Sequence, residues 1–575
     1  MTVQIQKLKM LINGEWLESS TGATTSIVDP SNNEPVADVP RGSKQEARAA
    51  VEAAHEALAS PEWRDMDSAK RGRILTKLST LVRENMDEMA RLETLSQGKT
   101  LRESKGDVAW AARAFEYFAG LADKIEGETI PVPPKRLDYT LKEPLGVTVH
   151  IVPWNYPIAI AARSWAPALA AGNTVVVKPS ETTPLTALKL GELSVKAGVP
   201  KGVVNVVTGS GAEVGSALVS DRKVDGIIFT GSSETGRQVM EAAAKNVTHV
   251  LLELGGKNPH IVFPDADLGR AVRYVKDGIF TNAGQMCWAG SRAFIHESVY
   301  DGFVKDLVAK TKTMRLGPGM EESSEMGPVV SRSRQETILG YVKDGIQEGA
   351  KLMCGGNQPA EPRLRSGNFV EPTIFEEVTG EMKIGCEEIF GPVLSITKFR
   401  TTDEVVSMAN ETEYGLYAGV WTKDRNAAAL YANEECLGEP QLARPSATNE
   451  AIGLLSELGT CLQNTRLKLF EQVVRMVRGR CRGPEDHLSS GFEHVSAYLS
   501  ANRREDSEAA FEFCDSQEVG CVRLELGRGE MDLGKGDEAT GPVDGGPFGD
   551  VAFAVGTVRS WGEPCSLAFL ANGCG

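Results

Sequence analysis

The sequence predicts an α/β protein organised around a parallel sheet, and three observations carry that expectation. Short apolar runs recur at residues 146–152, 174–177, 203–207, 225–229 and 250–254, and most of them run into Gly, Pro or Ser. Helical stretches separate these runs, which is the rhythm of a parallel sheet covered on both faces. A second α/β region follows from about 257 to 437, with no fixed-period repeat. In such a sheet a ligand sits at the carboxyl ends of the strands.

The elements follow in order. The opening region reads as helical: residues 44–60, 68–95 and 101–122 carry apolar side chains at three- and four-residue spacing. Pro131, Pro133 and Pro134 then break the pattern ahead of an alternating segment at 137–141. The parallel-sheet runs occupy 145–255 and the second α/β region 256–437. Beyond Leu437 the composition changes: 26 Lys to 23 Arg become 2 Lys to 11 Arg, and six of the ten cysteines fall there. One amphipathic helix is expected at 452–477, followed by Gly-rich irregular sequence. Residues 438–575 are read as the product of a shifted reading frame or an alternative exon rather than as an added domain.

The bulk numbers exclude several classes. A chain of 575 residues accommodates two or three domains and a large core. The 41% hydrophobic and 24% charged content is ordinary for a soluble globular protein. A formal charge of −16 argues against a nucleic-acid partner, which needs clustered Lys and Arg. No run of eighteen apolar residues and no secretory signal is visible, so no membrane partner and a cytoplasmic location are expected. Cys287, Cys354, Cys386 and Cys436 read as reduced thiols, and no cysteine spacing suggests a metal site.

Chemistry concentrates in a few segments. Phe280-Thr281-Asn282-Ala283-Gly284-Gln285-Met286-Cys287 offers a thiol nucleophile. Leu252-Glu253-Leu254-Gly255-Gly256-Lys257 offers a carboxylate base at the end of an apolar strand, where partial desolvation would raise its affinity for a proton. Pro153-Trp154-Asn155 ends the first sheet strand, and its Asn amide can donate to an oxyanion without changing charge. Gly209-Ser210-Gly211 with Gly215 is a weak glycine signal on its own. In Thr230-Gly231-Ser232-Ser233-Glu234-Thr235-Gly236, backbone amides and Ser232 at a helix start can face a pyrophosphate.

From about residue 11 to 436 these segments resemble the NAD(P)-dependent aldehyde dehydrogenase superfamily. The resemblance implies a Rossmann-type domain binding NAD (1–122 and 145–255), an oligomerisation hairpin (123–144) and a catalytic domain (256–437) left incomplete by the tail. It implies that Cys287 attacks an aldehyde, that Asn155 with the Cys287 amide holds the oxyanion, and that Glu253 activates water against a thioester. Positions implied to bind the cofactor are Trp154, Lys178, Glu181, Gly211, Gly215, Gly231, Ser232, Gly236, Leu254, Glu388 and Phe390. Lys178 and Glu181 would contact the adenosine ribose, and a carboxylate there favours NAD over NADP. Glu388 would bond the nicotinamide ribose, with Phe390 near the ring. Substrate choice would come from Tyr156, Ile160, Arg163, Met286 and Trp288. Arg163 either clamps a carboxylate on the substrate or is neutralised by a neighbouring acid, so an ω-carboxylated or aromatic aldehyde is expected. The family implies a homodimer or homotetramer. Without the family's ending, sheet edges should stay unpaired and apolar surface uncovered, weakening stability, assembly and activity.

Overall fold

The structure, a computed structural model, describes residues 6–424 and, beyond them, the strands Pro440–Leu442, Ala510–Phe513, Val522–Leu526, Gly556–Ser560 and Glu563–Ser566. The chain divides into two compact units, Met1–Arg466 and Leu467–Gly575.

The opening of the chain departs from the helical expectation. Residues before Ser43 form strands: Gln6–Lys7, Thr24–Val28 and Pro35–Pro40 make a small sheet, while Met10–Ile12 and Glu15–Leu17 form a hairpin. The hairpin turns on Asn13-Gly14, with φ of 54° and 73°. This is the residue pair that a two-residue turn with left-handed central residues favours. The helices begin with Lys44–Ala59, whose capping box pairs Ser43 with Glu46. The expected helix at 68–95 is two helices, Ser68–Glu84 and Met86–Gln97, parted at Asn85 with φ −102° and ψ 16°. Leu101–Leu121 follows behind a Thr100/Glu103 capping box. It crosses Ser68–Glu84 closely at Gly72, where a Cβ would lie 2.7 Å from the Ala119 carbonyl.

The first large sheet runs in the order His249–Glu253, Gly226–Thr230, Val147–Ile151, Thr174–Lys178, Val204–Val206, then Met10–Ile12 and Glu15–Leu17. The first five are mutually parallel, each within two residues of the sequence expectation; the hairpin adds antiparallel at the edge. Strand order reverses at Val147–Ile151, which has Thr174–Lys178 on one side and Gly226–Thr230 on the other. A crevice opens at such a switch point, outside the carboxyl ends of the strands.

The second sheet runs Lys351–Cys354, Thr373–Glu376, Val393–Phe399, Arg292–His296, Pro259–Val262, Ala418–Trp421, Pro440–Leu442, parallel except for its first pair. Ile338, Ile374, Phe375, Val393, Leu394 and Ile396 are buried in its core. Pro440–Leu442 pairs with Ala418–Trp421, so that edge is covered by residues past the point where the family's ending was expected to be missed. Thr129–Ile130 and Asp138–Tyr139 form a separate two-stranded hairpin on which Leu137 and Leu141 are exposed.

In the second unit, the four strands from Ala510–Phe513 to Glu563–Ser566 pair antiparallel in sequence order. The Gly-rich irregular reading therefore does not hold there. The helix expected at 452–477 lies outside the described residues. Among the described residues no helix is long and apolar enough to cross a membrane.

Candidate active site

The turn carrying Cys287 owes its shape to three successive residues with positive φ. After the helix Leu268–Phe280, Asn282, Ala283 and Gly284 take φ of 49°, 51° and 71°. Such a conformation costs an L-residue such as Ala about 1–2 kcal/mol, so the surroundings must hold it. A Cβ on Gly284 would stand 2.1 Å from the Gly391 carbonyl oxygen, and only glycine allows that approach. Asn258 donates from Nδ2 to the carbonyl oxygens of Cys287 and Ala289, both at 2.9 Å, which fixes the far side of the turn. The Cys287 thiol is half-buried. Burial pushes it up to about 11, the Arg163 guanidinium works in the opposite direction, and the Glu253 and Glu388 carboxylates add to the rise.

Asn155 does not end the first strand, as the sequence reading had it. The strand stops at Ile151, and Asn155 sits four residues on, ahead of the helix Pro157–Ala170 with Pro157 in its first turn. It is buried and donates from Nδ2 to the Gln285 carbonyl at 3.0 Å. The amide's second N–H remains for another acceptor. This bond joins the Trp154-Asn155 loop to the Cys287 turn across 130 residues of sequence.

Glu253 closes the strand His249–Glu253, and its carbonyl accepts from the Gly231 amide at 3.0 Å. Its carboxylate lies 3.5 Å from Arg163 Nη1, with both side chains about a third exposed (35% and 33%). Of the two readings left open for Arg163, the neighbouring acid is present. Lys257, the partner considered for Glu253, is instead buried, and its Nζ has no hydrogen-bond partner among the described residues. Burial first, and Arg292 second, push that amine down to about 7.

Most of the expected cofactor residues follow strands of the first sheet, while Glu388 and Phe390 precede the strand Val393–Phe399 of the second. Glu181 accepts from the Gly211 amide at 3.1 Å. Buried Lys178 donates to the Pro179 carbonyl at 3.0 Å, and desolvation pushes its amine down to about 8 against the pull of Glu181. Gly215 lies beside the Lys178 stem. Ser232 caps the helix Ser233–Ala244 by accepting from Thr235 N, so the amides of its first turn point outward. A Cβ on Gly236 would meet Leu254 at 2.6 Å. Glu388 accepts from Gly256 N at 3.0 Å, and burial raises its carboxyl. Trp154 and Phe390 meet edge to face at 5.2 Å.

The expected tunnel residues divide. Tyr156, Ile160 and Arg163 are partly buried, and Trp288 is exposed with its edge towards Tyr417. Met286 differs: it is packed into the core of the second sheet, because the reversal at 282–284 turns it inward. Tyr156 lies under the Lys99 ammonium, 3.9 Å from its ring centroid. Sequence reading missed Asn258 and Gln97, whose roles come only from contacts with distant segments.

Asn155 is thus tied to the Cys287 turn through Gln285, and Arg163, beside Glu253, faces the thiol. A thiol, an amide donor and a carboxylate so grouped are a set that acyl transfer can use. Residues 16–452 match the aldehyde dehydrogenase family. The betaine aldehyde dehydrogenase of Bacillus subtilis (strain 168) is 46% identical over 416 residues, covering 72% of this chain and 85% of that protein. Cytosolic aldehyde dehydrogenase 1 of Elephantulus edwardii is 44% identical over 435 residues, covering 75% and 86%. The solved betaine aldehyde dehydrogenase of Staphylococcus aureus, in complex with NAD+, superposes with a TM-score of 0.74 at 42% identity, covering 75% of this chain and 86% of that one. The chain belongs to the aldehyde dehydrogenase family, with a match running past the residue 436 at which the sequence resemblance was taken to stop. Its reaction is the NAD-linked oxidation of an aldehyde to the acid.

Proposed function

We propose that Cys287 is the nucleophile of this oxidation, Asn155 with the Cys287 amide the oxyanion donors, and Glu253 the hydrolytic base. The hydrogen bond from Asn155 to Gln285, two residues before the thiol, carries the reading, because it ties donor and nucleophile into one rigid group. The thiolate adds to the aldehyde carbon, giving a thiohemiacetal whose oxygen takes the remaining Asn155 N–H. A preorganised donor of this kind is worth about 3 kcal/mol of barrier. Arg163 favours the thiolate and lies 3.5 Å from the Glu253 carboxylate. Glu253 then takes a proton from the water that releases the acid from the Cys287 thioester.

The residues at the first sheet fit NAD. Glu181, already accepting from Gly211, suits ribose hydroxyls and repels a 2′-phosphate. The capped helix Ser233–Ala244, packed closely on Leu254 at Gly236, offers first-turn amides to a pyrophosphate. Trp154, Phe390 and Glu388 border the nicotinamide end. When bound, NAD supplies the acceptor for the hydride that leaves the Cys287 adduct. Exposed Trp288 favours an aldehyde whose far end is aromatic, whereas Arg163 is engaged with Glu253 and gives no support to a carboxylate clamp. The exposed Leu137, Tyr139 and Leu141 support assembly as a homodimer or homotetramer through the 123–144 hairpin. The cytosolic relative supports a cytoplasmic location.

Absorbance of reduced nicotinamide, followed with a panel of aldehydes, tests the assignment. The intact chain should turn over at least one of them and Cys287→Ala none. Equal activity in both would reject the assignment.

A further inference from the structure

We propose that Gln97, on the N-terminal helical layer, is a positioning residue for Asn155 and the Cys287 turn, acting as the first side chain of a one-way chain of amides. The inference rests on the roles given to Asn155 and Cys287 above.

Gln97 is the last residue of the helix Met86–Gln97 and is fully buried. Its Oε1 accepts from the Lys99 backbone amide at 2.8 Å. A backbone N–H only donates, so this contact decides which way the Gln97 amide faces. Its Nε2 is thereby aimed at Asn282 Oδ1, 2.9 Å away and 185 residues along the chain. Asn282, with its oxygen so engaged, must present Nδ2 on the other side. There it donates to the Asn155 carbonyl at 3.0 Å and the Gln285 carbonyl at 3.3 Å. Carbonyls only accept, so the far end agrees with the near end. The Lys99 N–H at one end and the two carbonyls at the other require the same direction for every bond between them.

Asn282 is the first residue of the strained reversal before Cys287, and its own amide is pinned by Glu103 Oε1 at 2.8 Å. Asn155 is held twice by this assembly: its carbonyl by Asn282 and its side chain by Gln285 O. Without the Gln97 donor the buried Asn282 oxygen loses that partner, and the amide is held against Asn155 by the two carbonyls at its far end. If the Asn282 amide turns over, an oxygen meets the carbonyls of Asn155 and Gln285, and both must move apart. The loop and the turn would then lose their common register. The neighbouring Lys99, paired with Asp107 and Glu93 in the buried interior, anchors the start of the chain.

The test is acylation of Cys287 by 4-nitrophenyl acetate, read as the mass of the acyl-enzyme, since it requires thiol and oxyanion donors but neither NAD nor Glu253. Gln97→Met should slow acylation roughly tenfold, part of the hundredfold or more that loss of a whole oxyanion donor costs. NAD binding, followed by fluorescence, should be unchanged. In an Asn155→Ala background the same change should alter the rate less than about twofold, because coupled residues are not additive. Should Gln97→Met fail to fold, Gln97→Glu replaces it. A protonated carboxyl can donate to Asn282 and a carboxylate cannot, so its acylation rate relative to the intact chain should fall as pH rises. Acylation at the unaltered rate in Gln97→Met, a full tenfold loss in both backgrounds, or a Gln97→Glu profile matching the intact chain would overturn the role of Gln97 alone. No acylation of the unaltered chain would overturn the functional reading and this inference with it.

Discussion

Gly284→Ala is expected to cripple catalysis while leaving the protein folded. The added methyl would stand 2.1 Å from the Gly391 carbonyl oxygen, over a backbone with φ of 71°. The ordinary carbon–oxygen contact is about 3.3 Å, so the overlap is roughly 1 Å. Gly391 is flanked by Phe390, whose carbonyl is held by Arg334, and a Cβ there would itself clash with Ile338. The 282–287 turn is therefore the side that moves, and Cys287 moves with it by about 1 Å. Displacement of that size costs about a hundredfold in rate, or about 2.7 kcal/mol of barrier. The assay pairs kcat for aldehyde oxidation with the thermal midpoint and the NAD dissociation constant. Loss of kcat with NAD affinity retained is the expected result. Unaltered kcat would show that close packing against Gly391 does not place the nucleophile.

Other outcomes follow from the same contacts. Lys99→Met should lower unfolding free energy in urea by about 3–5 kcal/mol, because it strands the buried Glu93 and the half-buried Asp107 carboxylates. Glu46 is nearly inaccessible, and the Ser20 and Ser43 donors overcome its desolvation to hold its carboxyl at about 2. Its folded-state value lies below the unfolded one, so its contribution is full above about 4.5 and is lost as pH falls towards 2; Glu46→Gln should flatten acid unfolding there. Glu253→Gln should leave acylation of Cys287 near the unaltered rate and cut steady-state turnover about a hundredfold, measured as a burst followed by a slow phase.

The parts of this account that sequence made legible are those with local signatures. The five parallel strands stand out because apolar runs are bounded by turn residues, and the family because the segments around Asn155, Glu253 and Cys287 are distinctive. The strands before Ser43 were hidden because they are two to six residues long, although Asn13-Gly14 marked one turn. The break at Asn85 was hidden because apolar spacing continues through it. Asn258, Gln97 and the Arg163–Glu253 pair could not be read at all, since each acts on a residue brought near only by folding. The inward turn of Met286 depends on the positive φ values at 282–284, which no periodicity reveals.

The central claim is that one sulfur carries the acyl group. In Glu253→Gln, where hydrolysis should be slow, the protein mixed with aldehyde and NAD, quenched in acid and mapped by mass spectrometry should carry the acyl mass on the peptide containing Cys287. Reduced NAD formed without any adduct there, or with the adduct on Cys354 or Cys386, would contradict it.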